Sequence, residues 1–78
     1  MTVRVRYFAA AAERAGADEE VRDEASLAAL RAAVIGEHPE LGEILPRCAV
    51  LVDGVRADTD VPLADATFVD VLPPFAGG

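Results

Sequence analysis

Residues 26–36 read Ser-Leu-Ala-Ala-Leu-Arg-Ala-Ala-Val-Ile-Gly and carry the clearest secondary-structure pattern in the sequence. Leu27, Leu30 and Val34 recur at the spacing of one helical face, alanines fill the positions between them, and the opening serine is a preferred N-cap residue. The pattern predicts an amphipathic helix. It must end before Pro39, because proline disfavours helical geometry in the residue that precedes it.

Short strand patterns lie on both sides of this helix. Within residues 2–8, apolar side chains at positions 3, 5 and 7 alternate with Arg4, Arg6 and Phe8, and the odd-numbered positions are predicted to face the core. A weaker strand is expected at residues 18–23, with Val21 as its core residue. Residues 48–52 form a near-continuous apolar run typical of a central strand, and residues 67–72 are predicted as the last strand.

The residue types between the strands predict how they are connected. Four alanines from Ala9 begin a short helix, which Gly16 ends in the left-handed conformation. Residues 39–46 are predicted as an irregular helical turn, and the Asp-Gly pair at residues 53–54 as a tight turn into a short strand. One helix covers only one face of a sheet. The predicted fold class is therefore α+β, a mixed sheet of four to five strands packed on one main helix, with its other face solvated or used for contact.

The composition indicates one small domain without covalent or metal cross-links. The 78 residues include a single cysteine and one histidine, so an internal disulfide is excluded and no Cys/His cluster indicates structural zinc. Fourteen acidic residues against seven arginines give a net charge of −7. This argues against a nucleic-acid partner, because phosphate binding needs a basic face. Without a signal-peptide pattern or a long apolar run, we expect no membrane association and a cytoplasmic location.

Three features that could carry other chemistry are interpreted as structural. Cys48 has no histidine or second cysteine near it in sequence, and it is expected to be a buried thiol. His38 lies at a helix end and is expected to be a solvent-exposed cap. Asp58, Asp60 and Asp65 are expected in a solvated acidic loop, because the glycine and glutamate of a calcium-binding loop are absent at the required spacing.

The chemistry is predicted at the C-terminus, where the chain ends Leu-Pro-Pro-Phe-Ala-Gly-Gly. Pro73 and Pro74 lack N–H donors and fix φ, so strand pairing stops there. The prediction is a domain of residues 1–72 followed by an extended, flexible tail of residues 73–78. Six extended residues reach roughly 20 Å from the domain.

The last four residues suit a tail that enters a partner. Phe75 has no core to enter, which makes it a candidate anchor on another protein. Ala76, Gly77 and Gly78 have almost no side chain. Such an end can thread a narrow channel and present its terminal carboxylate to an enzyme with little steric hindrance.

With these residues in view, the chain resembles the small sulfur-carrier subunits of molybdopterin synthase, which are ubiquitin-like β-grasp proteins. The resemblance spans essentially the whole chain, and its last block is the most specific. The motifs that carry it are residues 5–9, 13–16, 27–30, 50–54, 62–65 and 71–78.

The resemblance implies a chemical role for the C-terminal carboxylate. The reactive end of the chain would be Gly77-Gly78. An E1-like adenylating enzyme would use ATP and Mg²⁺ to adenylate the Gly78 carboxylate, and a sulfurtransferase persulfide would convert the adenylate to a thiocarboxylate. The tail would then enter the large subunit of molybdopterin synthase, in a heterotetramer, where the sulfur builds the dithiolene of a pterin. By this resemblance the chain supplies sulfur, binds no cofactor itself and is not an enzyme on its own.

The partner surface is predicted to combine apolar side chains near the last strand with the tail. Its predicted members are Phe8, Arg56, Leu72, Pro73, Pro74, Phe75 and Ala76. Two other functions stay open: a sulfur carrier for cysteine or thiamine biosynthesis, and a ubiquitin-like modifier or interaction module. The chain contains no lysine, so an activated C-terminus meets no side-chain amine on a second copy of the chain.

Overall fold

The computed structural model describes residues 2–74, in which short elements follow one another closely. The elements are β1 (Val3–Tyr7), α1 (Ala10–Ala15), β2 (Glu19–Arg22), α2 (Leu27–Glu37), α3 (Pro39–Gly42), a 3-10 turn (Leu45–Arg47), β3 (Ala49–Val52), β4 (Val55–Arg56) and β5 (Phe68–Leu72). The predictions made for Phe75, Ala76, Gly77 and Gly78 lie outside the described residues.

The five strands form one mixed sheet in the order β2-β1-β5-β3-β4. The last strand of the chain lies at its centre, because β5 pairs parallel with β1 and antiparallel with β3. The edge strands β2 and β4 pair antiparallel with β1 and β3. This confirms the predicted mixed sheet on one main helix. It also fixes the point at which the C-terminal residues leave the sheet.

The core lies between α2 and one face of the sheet. Alternate residues of the two central strands face it: Val3, Val5 and Tyr7 of β1, with Val69 and Val71 of β5, are all 3% exposed or less. The predicted inward positions of the first strand are therefore confirmed. The buried leucine and valine side chains of α2, α3 and the 3-10 turn are Leu27, Leu30, Val34, Leu41 and Leu45.

Two side chains satisfy the first free N–H groups of α2. The Ser26 hydroxyl accepts a hydrogen bond from the N–H of Ala29 at 3.2 Å, as expected for an N-cap. A carboxylate oxygen of Asp60 accepts one from the N–H of Ala28 at 2.8 Å. Asp60 is exposed as predicted, but it has a specific task, because it joins the acidic loop to the beginning of the helix.

The Asp53-Gly54 turn between β3 and β4 also holds the beginning of β5. Both of its residues have positive φ, 48° and 83°, as a tight hairpin turn requires. The Asp53 carboxylate accepts hydrogen bonds from the N–H groups of Thr67, at 3.0 Å, and Phe68, at 2.8 Å. Hydrogen bonds to this turn thus hold the beginning of β5, and the hydrogen bond from Phe8, which follows β1, holds its end at Val71.

The prediction that Val21 belongs to the core is wrong, because its side chain is 60% exposed. β2 is an edge strand, and its register places Val21 opposite Arg4, which is exposed on the sheet face turned away from α2. The inward positions of β2 are occupied by Glu20 and Arg22. Charged groups therefore close this corner of the fold.

Arg22 is the centre of that corner. Its guanidinium donates to both carboxylate oxygens of Glu24, at 2.8 and 2.9 Å, and lies 2.8 Å from Glu37 and 3.8 Å from Glu20. The Tyr7 hydroxyl donates to Glu20 at 2.6 Å. The hydrogen bond from Arg22 lowers the pKa of Glu24 below its ordinary value.

His38 ends α2 as predicted, but it is not a solvent-exposed cap. Its N–H bonds to the carbonyl of Val34, and its side chain is only 22% exposed. The ring packs edge-on against Tyr7, with 6.4 Å between ring centres, and Nε2 lies 3.4 Å from a Glu20 oxygen. The imidazole lies inward because it contacts the Tyr7 ring and the Glu20 carboxylate beside β2.

Replacing Glu24 by glutamine should reduce the free energy of unfolding by about 1 kcal/mol at neutral pH, since a charge-assisted hydrogen bond is lost. A carboxylate whose folded pKa is lowered stabilises the fold above its unfolded pKa, and this contribution disappears as the pH falls through the folded value. The difference between wild type and Glu24→Gln should therefore shrink below pH of about 4.

Urea unfolding at several pH values measures this difference. Glu13→Gln, on the exposed surface of α1, is the matched control and should stay close to wild type at neutral pH. A Glu24→Gln deficit that stays constant down to acidic pH would contradict the ion-pair explanation.

Candidate functional site

α2 packs on one face of the sheet and leaves the opposite face at the surface. We call this the open face. Strand alternation and register assign to it the side chains of Arg4, Arg6, Glu19, Val21, Ala49, Leu51, Arg56, Phe68, Asp70 and Leu72. The expectation that one helix leaves a face available for solvent or contact is confirmed for the described part of the chain.

An ion pair lies in the middle of the open face. The Arg6 guanidinium donates to both carboxylate oxygens of Asp70, at 2.5 and 2.9 Å, and Asp70 is only 8% exposed. The same guanidinium lies 4.1 Å from the centre of the Phe68 ring, a cation–π distance. The hydrogen bond that Arg6 donates to Asp70 raises the pKa of Arg6 above its ordinary value. The guanidinium is thus held between the Asp70 carboxylate and the Phe68 ring.

Phe8 and Leu72 lie side by side at the end of the sheet where the tail begins. Tyr7 pairs with Val71 in the parallel ladder, and the N–H of Phe8 continues it by donating to the Val71 carbonyl at 3.2 Å. Phe8 is 40% exposed and Leu72 is half-buried. Two predicted partner residues are therefore brought together, and both keep apolar surface in contact with solvent.

The other described members of the predicted partner surface differ in exposure. Pro73 is buried and Pro74 is exposed, so Pro73 packs with the domain and offers little surface. Arg56 is exposed on the edge strand β4, where its Nε bonds to Asp58 at 2.9 Å. Arg56 pairs with Leu51 of β3, and Leu72 pairs with the residue two positions before Leu51 on the same strand. Arg56 therefore shares the open face with Leu72.

The sequence did not reveal the ion pair and the stacked ring in the middle of this face. Alternation along β1 does place Arg6 on the outward side. Its partner Asp70 is 64 residues away in sequence, and only the parallel register of β1 with β5 joins the two. No local pattern carries that information.

One group of side chains has the composition of a metal site. Ligand atoms of Glu20, Glu37 and His38 lie within 4.8 Å of one another. The guanidinium of Arg22, 2.8 Å from Glu37, already supplies the positive charge that these carboxylates need. The group is therefore better described as an ion-pair network than as a metal site.

Cys48 is half-buried and engaged within the chain. Its thiol donates to the carbonyl of Ile44 at 3.3 Å, and burial raises the pKa of the thiol above its ordinary value. A thiol that stays protonated at neutral pH is a weak nucleophile. This agrees with a structural role. None of the helices within residues 2–74 has the length and apolar character needed to cross a membrane.

Comparison with known proteins places these features in a family. Residues 5–78 match the model of the ThiS family. The chain is 35% identical, over an 83-residue alignment covering 100% of both proteins, to a molybdopterin synthase sulfur carrier subunit from Chlamydomonas reinhardtii.

Solved structures agree with this match. A complex of subunits 1 and 2 of molybdopterin-converting factor from Helicobacter pylori contains a chain similar to this one, with 30% identity, full coverage of both chains and a TM-score of 0.75. Small archaeal modifier protein 1 from Haloferax volcanii is similar at 25% identity, again with full coverage of both chains, and a TM-score of 0.84. With a family model matched from the first strand to the final glycine, this chain belongs to the ThiS family, and its fold is the ubiquitin-like β-grasp.

Proposed function

We propose that this chain is the sulfur-carrier subunit of a molybdopterin synthase and that it carries sulfur as a thiocarboxylate on Gly78. The observation that carries the proposal is the full-length likeness to a sulfur carrier subunit of that enzyme, in a family whose model extends to residue 78. The fold supports it, because the C-terminal residues follow directly from the central strand β5.

The proposed chemistry begins by making a poor electrophile reactive. On an E1-like enzyme, which binds ATP and Mg²⁺, an oxygen of the Gly78 carboxylate attacks the α-phosphate and diphosphate leaves. The terminal sulfur of a sulfurtransferase persulfide then attacks the carbonyl carbon and displaces AMP. A second thiol reduces the resulting acyl disulfide, leaving a thiocarboxylate on the chain and a disulfide elsewhere. This chain contributes the carboxylate, and the activating enzyme contributes the catalysis.

In this proposal the described residues position the tail. β5 is paired on both sides, and Pro74 is exposed directly after the buried Pro73. The reacting carboxylate is therefore tethered to the docked domain through the four residues that follow Pro74. Tethering makes sulfur transfer effectively intramolecular within the complex, which raises the effective concentration of the nucleophile.

Intact mass spectrometry tests the chemistry. After incubation with ATP, Mg²⁺, an E1-like enzyme and a sulfide source, the mass should rise by the difference between one sulfur and one oxygen atom. Deletion of Gly78 should abolish the gain. An unchanged wild-type mass with several activating enzymes would contradict the proposal and favour an interaction module.

The acceptor requires a separate experiment, because carriers for cysteine and thiamine biosynthesis would show the same mass gain. The thiocarboxylate form should transfer its sulfur to the molybdopterin synthase large subunit and its pterin precursor. Expression of the chain should also restore molybdoenzyme activity to a strain that lacks the small subunit. Transfer only to a cysteine or thiamine acceptor would assign the chain to that pathway instead.

The large subunit is proposed as the partner of the surface around Phe8 and Leu72. In the H. pylori relative, subunits 1 and 2 form a complex. We expect Phe8→Ala to weaken binding to the large subunit by about 2 kcal/mol, or roughly thirtyfold in Kd, because an exposed aromatic side chain at an interface centre acts as an anchor.

Isothermal titration calorimetry measures this effect, and Val21→Ala is the matched control. Val21 is also an exposed apolar residue of the open face, at 60% exposure, but it lies on the edge strand β2 and away from the tail. Its replacement should leave the affinity unchanged. Equal losses for both variants would argue against a localised anchor at Phe8.

A protein-modifier role is the second candidate, favoured by the likeness to small archaeal modifier protein 1. A modifier would be found joined through Gly78 to lysines of other proteins. Detection of such isopeptide bonds in cells, together with no transfer of sulfur to a pterin acceptor, would replace the sulfur-carrier proposal.

A further inference from the structure

Ala9 has an unusual backbone conformation for an alanine. Its φ is 51° and its ψ is −123° at the residue that precedes α1. L-residues with a Cβ rarely adopt this region, and glycine adopts it freely. Within residues 2–74, Asp53 is the only other non-glycine residue with positive φ. Asp53 lies in a hairpin turn that suits aspartate, and its side chain accepts three hydrogen bonds.

The domain gains little from the methyl group of Ala9. The residue is exposed, and it belongs neither to the buried core nor to the apolar residues packed against it. Its backbone is held by neighbours: the N–H of Ala11 bonds to the Phe8 carbonyl at 3.0 Å, and the N–H of Glu13 bonds to the Ala9 carbonyl at 3.2 Å. A glycine would keep these hydrogen bonds and remove the strain.

The strained residue lies beside the surface already assigned to the partner. Phe8 precedes it and bonds through its N–H to Val71, two residues before Pro73. A shallow groove of about 370 Å³ opens here. Its lining includes Phe8, Ala9, Ala12, the acidic Asp18 and Glu19, and Arg6, whose guanidinium already pairs with Asp70. Backbone strain that the domain does not need is often retained for a function.

We propose that Ala9 is a specificity-determining contact for the protein that receives the tail. This inference rests on the proposed function, since it takes that protein to be the large subunit of molybdopterin synthase. The occupant of the groove is an apolar side chain of the large subunit, which packs on the methyl groups of Ala9 and Ala12. A basic side chain next to it faces Asp18. Continuity with Phe8 and the charge of Asp18 define this partner chemistry.

The variant Ala9→Gly separates the effect of backbone strain on stability from the effect of the methyl group on binding. Its urea midpoint should rise by about 0.5 M, because relief of strain outweighs the added freedom of the unfolded chain. Its affinity for the large subunit should fall about fivefold, the effect of one lost methyl contact. Calorimetry with the unmodified carboxylate form measures the affinity, so the result does not depend on the sulfur chemistry.

Two further variants serve as controls. Ala9→Ser keeps a Cβ and should keep both the wild-type midpoint and the wild-type affinity. Ala64→Gly, at an exposed turn before β5, should lower the midpoint through unfolded-state entropy and leave binding unchanged.

The inference is overturned if Ala9→Gly binds as tightly as wild type, or if it lowers the urea midpoint as Ala64→Gly does. Failure of the proposed function is recognised differently: wild type itself does not bind the large subunit, or Phe8→Ala has no effect.

Discussion

β5 is hydrogen-bonded along both of its edges, and this double pairing determines how the sheet, the core and the start of the tail are arranged. Parallel pairing with β1 and antiparallel pairing with β3 place the last strand at the centre of the sheet. Its inward residues Val69 and Val71 are then covered by α2, and both are 2% exposed or less. The position of Leu72, and with it the start of the tail, follows from hydrogen bonds to two neighbours rather than from the tail itself.

The same constraint determines the character of the open face. Since β1 and β5 run parallel in fixed register, Arg6 meets Asp70 in the middle of the sheet, and Phe8 and Leu72 meet at its end. A charged pair at the centre and apolar groups near the tail divide the face into two chemically different parts.

Local patterns predicted the parts of the fold that depend on local physics. Alternation gave the inward residues of β1, the helical spacing gave α2, and Gly16 does end α1 with a φ of 74°. The two failures concern the edge strand β2: Val21 belongs to it, and His38 lies against its Glu20. There the partner strand and a network of charges decide which way a side chain faces, and neither can be read from a four-residue segment.

The candidate site also combines residues that the sequence predicted with contacts that it did not. Phe8, Leu72 and Pro74 were predicted from residue type and position, and the structure leaves each of them at least partly exposed. The contact between Arg6 and Asp70 needed a register across most of the chain. The strain at Ala9 has no sequence signal at all, because alanine is the residue that best suits the helix it precedes. Conformation alone distinguishes it from the alanines that follow.

The central position of β5 also has a mechanical consequence. β1 begins near the N-terminus and β5 ends at the tail, and the two run parallel. A force applied between the two ends of the chain therefore acts along both strands and loads the hydrogen bonds of their ladder together, in shear, instead of opening them one at a time. The ladder that positions the C-terminal end of β5 is therefore also the part of the sheet that resists unfolding when the two ends are pulled apart.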